Sequence, residues 1–281
     1  MADLIIVLYI LAGIAVGFAG ALLGLGGGFL MVPILNLLFG LEIHQAIGTS
    51  LFTIIFTSLS SSVEYVRKRI ADLSLGAVMV PFTILGAILG ANLSTLIPEN
   101  VLQAIFGITL FIASVRMFLK KNKKANLATQ SDEPSKASSS KFLTFNRTFT
   151  TPDGTIFEYV INIPLIALFG FCAGLLSGLL GVGGGIVQVP VFSLIFGIPI
   201  HVAIATSMLI IVFTSSFGTL THYFAGNVLL AVGIFLAIGT IIGGQIGARM
   251  AQKIEKGQLR KIFAIVMAFT GIRMFVTLFS I

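Results

Sequence analysis

One glycine-rich unit occurs twice in this chain, and that duplication restricts the fold more than any other feature. Gly24-Leu-Gly-Gly-Gly-Phe-Leu-Met-Val-Pro33 matches Gly181-Val-Gly-Gly-Gly-Ile-Val-Gln-Val-Pro190. The same offset, without a gap, pairs Phe39-Gly40 with Phe196-Gly197, His44 with His201, and Thr49-Ser50 with Thr206-Ser207. It pairs Phe56-Thr57-Ser58 with Phe213-Thr214-Ser215, and Gly86, Gly90 and Ala91 with Gly243, Gly247 and Ala248. It ends by pairing Arg116-Met117-Phe118 with Arg273-Met274-Phe275. A shared apolar bias would not align proline, histidine and Thr-Ser pairs, so the chain is an internal repeat.

Each copy divides into apolar segments. In the first copy they cover about 4–23, 29–40, 45–66, 73–96 and 101–119. In the second they cover about 159–180, 186–198, 202–225, 228–248 and 259–280. Most reach the roughly 20 residues that a spanning helix needs. Of the chain's residues, 57% are hydrophobic and 10% charged, against about 25% charged in a soluble domain. Lipid is therefore the solvent, and the fold class is a polytopic all-α transmembrane protein. The segments 29–40 and 186–198 are too short to span. A dozen residues at about 1.5 Å rise cover about half the hydrocarbon core. Each follows a glycine triplet and carries a proline, which predicts re-entrant or broken half-helices. The organisation expected is a first transmembrane repeat at 1–119, a polar linker at 120–158 and a second repeat at 159–281. The linker is low in complexity and predicts a mobile loop, ending in a small hairpin around Pro152-Asp153-Gly154. The start of the chain lacks a positive n-region, so the first apolar stretch reads as a membrane segment rather than a cleaved signal.

The charges give an orientation. The net charge is +7, gathered at Arg67-Lys68-Arg69, Lys120 to Lys124 and Arg249 to Lys261. Short clusters between apolar segments orient a membrane protein and do not bind nucleic acid. Residues 93–100, 222–227 and 279–281 carry no lysine or arginine. Equivalent loops of the two copies thus have opposite sign preference. Inverted copies, both termini external and the linker cytoplasmic, satisfy the positive-inside rule. Four parallel crossings per copy is the competing arrangement.

The candidate binding residues lie at the breaks. Gly26, Gly27, Gly28 and Gly183, Gly184, Gly185 expose backbone at membrane depth, which is tolerated where it is buried in protein or lines a cavity. A half-helix N-terminus with free N–H groups holds an anion without a charged side chain; close helix packing is the plainer reading. Thr49, Ser50, Thr206 and Ser207 open the next segments and either donate to a solute oxyanion or cap the helix. Thr57-Ser58 and Thr214-Ser215 read as hydroxyls bonded back to their own helix. His44 and His201 are candidates for anion contact, against polar packing near an interface. Gln188, Asn36 and Gln245 are uncharged polar groups at membrane depth. Glu64 reads as the partner of Lys68 one turn on, and Cys172 as a small packing residue. No acidic residue lies deep in an apolar segment, and no nucleotide loop, catalytic triad or metal-ligand cluster occurs. The reading is therefore a non-enzyme with no cofactor and no metal.

Gly-x-Gly-Gly-Gly followed by Val-Pro, then Ala-x-x-Thr-Ser, then Gly-Ala before a basic or polar turn, all present twice, resembles the TauE/SafE family of sulfite exporters and sulfonate permeases. The resemblance covers nearly the whole chain outside 120–158. It implies transport of small sulfur-containing anions such as sulfite, sulfoacetate or taurine-derived sulfonates, and about eight helices in two halves. The first copy departs at Asn92, where the second has Arg249, so any anion contact by that arginine is one-sided.

Together these readings give a secondary transporter of small sulfur-containing oxyanions in the plasma membrane, with a small organic or inorganic anion and the lipid bilayer as partners. Homo-oligomerisation stays open. An anion channel and a non-transporting membrane scaffold or accessory subunit are the rival readings.

Overall fold

In the computed structural model, residues 2–119, 144–150 and 156–251 are described. The expected linker stretch 120–143, the expected turn around Pro152-Asp153-Gly154 and the expected segment 259–280 lie outside them. Helix α1 (Ala2–Leu23) is followed by α2 (Gly28–Pro33) and a π-helical turn over Ile34–Leu38. Then come α3 (Ile43–Arg67), α4 (Leu73–Leu96) and α5 (Glu99–Leu119). The second copy holds α6 (Ile163–Leu180), α7 (Gly185–Leu194), α8 (Ile200–Phe224) and α9 (Leu230–Met250). Six of these helices, α1, α3, α4, α6, α8 and α9, are long and apolar enough to cross a membrane.

The two half-helices are present. The stretch Gly28–Leu38 and α7, with 10 residues, each rise about 15 Å, half a bilayer core. In the first copy the proline leaves its mark: Pro33 has no N–H to give, and the wider π turn follows directly after it. The hairpin is also present, as β1 (Thr144–Thr150) paired antiparallel with β2 (Ile156–Asn162). It corrects one boundary. The run expected to be helical from 159 begins its helix at Ile163, because Asn162 caps α6 through the Leu165 N–H and residues 156–162 are extended.

Small residues bring the helices together in two matching pairs. On α1, a Cβ at Gly17 would lie 2.7 Å from the Thr240 carbonyl oxygen of α9. On α6, a Cβ at the equivalent Gly174 would lie 2.1 Å from the Thr83 carbonyl oxygen of α4. Gly243 and Gly247 return the contact to Ile14 and Phe18, as Gly86 and Gly90 do to Phe171 and Leu175. Without Cβ atoms the backbones approach closely, as small residues allow between membrane helices. Contacts that rise together along both chains make α1 parallel to α9 and α4 parallel to α6.

Helices α3 and α8 cross at the centre, and they run in opposite directions. Gly48 sits beside Asn227, Leu51 beside Gly218, and the Thr206 hydroxyl beside Asp72. Ile54 and Ile211 meet midway, both against Gly26 and Gly183. These two helices are polar inside: Thr49, Ser50, Thr53, Thr57, Ser58, Ser61, Thr206, Ser207, Thr214 and Ser215 are all buried. The outer helices instead present leucine and isoleucine outward, such as Leu85 and Leu89 on α4 and Ile234 and Ile238 on α9.

The two ends of the bundle differ in charge. At one end Glu64 pairs with Lys68 at 3.1 Å and with Arg249 at 3.6 Å, so the basic ends of α3 and α9 share a face. Strand β2 joins that face through Tyr159, which donates to Asp72. At the other end His44, near the start of α3, lies 3.0 Å from the Ser94 carbonyl, and Gly48 touches Asn227. The stretches 93–100 and 222–227, which carry no lysine or arginine, therefore gather there.

Candidate functional site

Each half-helix begins from a left-handed backbone. Gly24, Gly26 and Gly27 have φ of 72°, 81° and 96°, and Gly181, Gly183 and Gly184 have 69°, 83° and 82°. A residue with a Cβ resists these values, which favours glycine at the first two positions of each triplet. Gly27 and Gly184 cap α2 and α7 without any side-chain hydrogen bond. Left-handed Gly27 followed by helical Gly28 turns successive N–H groups toward one side, the backbone pattern of an anion nest. Among the described residues no backbone carbonyl accepts the N–H of Gly26, Gly27, Gly183 or Gly184.

The two breaks meet. A Cβ on Gly28 would lie 2.1 Å from the Gly181 carbonyl oxygen, and one on Gly185 2.3 Å from that of Gly24. All six triplet glycines are buried. They lie back to back where α3 and α8 cross, between Ile54 and Ile211.

The Thr-Ser pairs reach this place from the opposite copy. Ser50 donates to the Gly181 carbonyl at 2.9 Å, and Ser207 donates to the Gly24 carbonyl at 2.7 Å. Each serine proton is thus given to a break in the other copy. Thr49 accepts the N–H of Leu229, and Thr206 accepts that of Asp72, each at the start of the other copy's long helix. Thr57 and Ser58 bond back to Thr53 and Ile54, as Thr214 and Ser215 do to Ile210 and Ile211.

The histidines are not at the breaks. His44 binds the Ser94 and Ile97 carbonyls at the end of α4, and His201 is exposed near the start of α8. Each stands about 15 Å along its helix from the crossing, at opposite ends of the bundle. Asn36 closes a turn onto the Leu41 carbonyl at 2.8 Å. Gln245 faces outward. Cys172, expected to pack inside, is exposed on α6 instead, since the inward side of that helix is taken by Gly170, Ala173, Gly174 and Ser177.

Gln188 is different. It is fully buried, and among the described residues neither its Nε2 nor its Oε1 has a hydrogen-bond partner. Its Nε2 lies 3.3 Å from where a Cβ of Gly184 would be. Asp72 was not singled out in the sequence. It is fully buried, accepts the N–H groups of Ser74 and Leu75, and takes the Tyr159 hydroxyl. An Asp just before an apolar run is an N-cap signal, and the repeat puts Leu229 at the equivalent position.

The family model for "Sulfite exporter TauE/SafE" matches residues 9–274. The chain belongs to the TauE/SafE family. The Bacillus subtilis protein named probable membrane transporter protein YunE is 32% identical, covering 94% of this chain and 95% of its own length. Probable membrane transporter protein YdhB of the same organism is 28% identical, covering 96% and 98%. The Escherichia coli protein named probable membrane transporter protein YfcA is 25% identical, covering 93% and 86%. No solved structure matches this TauE/SafE chain. It is a multi-pass membrane transporter and not an enzyme.

Proposed function

We propose that this TauE/SafE protein is a secondary transporter that moves small sulfur-containing oxyanions, sulfite or organosulfonates, across the cytoplasmic membrane by alternating access. The observation that carries the reading is the meeting of two buried, left-handed glycine breaks at the crossing of α3 and α8. The N–H groups of Gly26, Gly27, Gly28 and of Gly183, Gly184, Gly185 would cradle the anionic oxygens, with Gln188 beside them. Ser50 and Ser207 hold the two cradles from the opposite repeat, and Thr49 and Thr206 brace the adjoining loops. His44 and His201 stand at the two mouths. A tilt of one repeat against the other shears both serine contacts, which couples the two breaks.

The repeats, 1–119 and 159–281, sit inverted in the membrane. The antiparallel crossing of α3 and α8 supports this, as does the gathering of Lys68 and Arg249 on one face. That face, with the linker, is cytoplasmic by the positive-inside rule. Export of an anion is then favoured by the membrane potential, at about 2.3 kcal/mol per charge per 100 mV.

Ligand binding tests the reading. Purified protein titrated with sulfite, simple sulfonates and carboxylates should bind sulfite or a sulfonate saturably, and Gly184→Val should remove binding. Binding of none of these anions would contradict it.

A further inference from the structure

The two glycine breaks are matched in backbone but not in side chains. Beside the first break stand Gly20 and Met31. At the equivalent positions beside the second stand Ser177 and Gln188. Both are fully buried, and Ser177 Oγ, Gln188 Nε2 and Gln188 Oε1 have no hydrogen-bond partner among the described residues. The fold does not require polarity there, since Met31 fills the matching place fully buried. A buried amide left unpaired at both ends is costly. A ligand that completes the group removes that cost.

The neighbouring backbone identifies the kind of ligand. Gln188 Nε2 lies over Gly184. Ser177 occupies the position whose counterpart, Gly20, would drive a Cβ to within 2.4 Å of the Gly27 nitrogen, and the repeat relation gives that position the same side of α6, facing the second break. The glycine N–H groups, Nε2 and the serine hydroxyl are donors and suit anionic oxygens. Gln188 Oε1 can only accept. It needs a ligand that also carries a donor.

We infer that Gln188 and Ser177 form a one-sided subsite at the second break that selects sulfonates bearing a hydroxyl or amino group over those bearing none. The inference rests on the oxyanion reading above and adds a second requirement to it. Nε2 and Ser177 take a sulfonate oxygen, while Oε1 accepts from the ligand's own O–H or N–H. The other orphaned hydroxyls, Ser94 and Thr219, stand singly and offer no such pairing of donor and acceptor.

The test is calorimetric titration of the full chain in detergent with ethanesulfonate, 2-hydroxyethanesulfonate and 2-aminoethanesulfonate. The wild type should bind one or both substituted compounds about tenfold more tightly than ethanesulfonate, the effect of one added buried hydrogen bond. Gln188→Met, which installs the residue of the first copy, should bring that ratio to within about twofold. Its ligand-free melting temperature should equal or exceed that of the wild type, because an unpaired amide has been replaced by an apolar group. Ser177→Ala should weaken binding of all the sulfonates. Equal affinity for the three compounds in the wild type, or an unchanged ratio in Gln188→Met, would overturn the subsite while leaving the oxyanion reading standing. A lowered melting temperature in Gln188→Met would make Gln188 a structural residue and also overturn it. Binding of none of the three by the wild type would overturn the subsite, and failure to bind sulfite as well would overturn both.

Discussion

Ser50 in the first repeat donates its hydroxyl proton to the carbonyl of Gly181 in the second, at 2.9 Å. The reverse contact, from Ser207 to Gly24, closes at 2.7 Å. Each repeat therefore fixes the glycine break of the other, and neither break is held by its own Thr-Ser pair.

Removing one clamp leaves a buried carbonyl without its donor. Ser50→Ala or Ser207→Ala should cost about 1–3 kcal/mol, seen as a melting temperature lowered by several degrees. Ser58→Ala should cost less, because the Ile54 carbonyl it bonds belongs to its own helix ladder. Thermal unfolding of the three variants in one detergent gives the ranking. Equal losses would mean that the clamps across the repeats have no special weight.

The close approach of the breaks makes a sharper prediction. Gly28→Ala would place a methyl carbon 2.1 Å from the Gly181 carbonyl oxygen, and Gly185→Ala one 2.3 Å from that of Gly24. Backbone on both sides cannot yield that distance, so both variants should lose folded protein or transport by more than about tenfold. Gly40→Ala, by contrast, meets a left-handed φ of 68° but has nothing within 4 Å. It should cost only the backbone strain, about 1–2 kcal/mol, and keep transport. Yield on size exclusion and uptake rate separate the two classes.

Tyr159 anchors the end of the linker hairpin to a buried carboxylate, Asp72. Tyr159→Phe removes one hydrogen bond to a charged group, worth about 1.5–3 kcal/mol. Asp72→Leu, the residue at the matching place in the second repeat, loses that bond and the cap on α4 as well. Limited proteolysis should cut β1 and β2 faster in both variants, and faster in Asp72→Leu.

Much of this arrangement was legible in the sequence. The ungapped repeat, the Gly-x-Gly-Gly-Gly breaks and the short helices after them are local patterns, and the short helices appear where they were expected. The clamp between Ser50 and Gly181 was not legible. It joins residues 131 apart, and only the antiparallel crossing of α3 and α8 brings them together. Read within one copy, Thr49-Ser50 points to its own triplet. The isolation of Gln188 was hidden for the same reason: a glutamine in an apolar run looks the same whether or not a partner waits across the bundle. The helix start at Ile163 was missed because the apolar run continues through Tyr159–Asn162, and hydrophobicity does not distinguish strand from helix there.

Sidedness follows from the shared face of Lys68 and Arg249. Single cysteines at Lys68 and Arg249, in a background with Cys172→Ser, should react with an impermeant thiol reagent from the cytoplasmic side only. Single cysteines at Thr95, which is exposed, and Asn227 should react from outside only. Labelling of residues 68 and 227 from the same side would contradict the inverted arrangement.

Counterflow in proteoliposomes tests the central claim most directly. Vesicles containing the wild-type protein and loaded with unlabelled sulfite or 2-hydroxyethanesulfonate should accumulate the labelled anion transiently and saturably. Gly185→Val should abolish that accumulation. A flux that never saturates and shows no counterflow, or counterflow that survives Gly185→Val, would contradict alternating access through the paired glycine breaks.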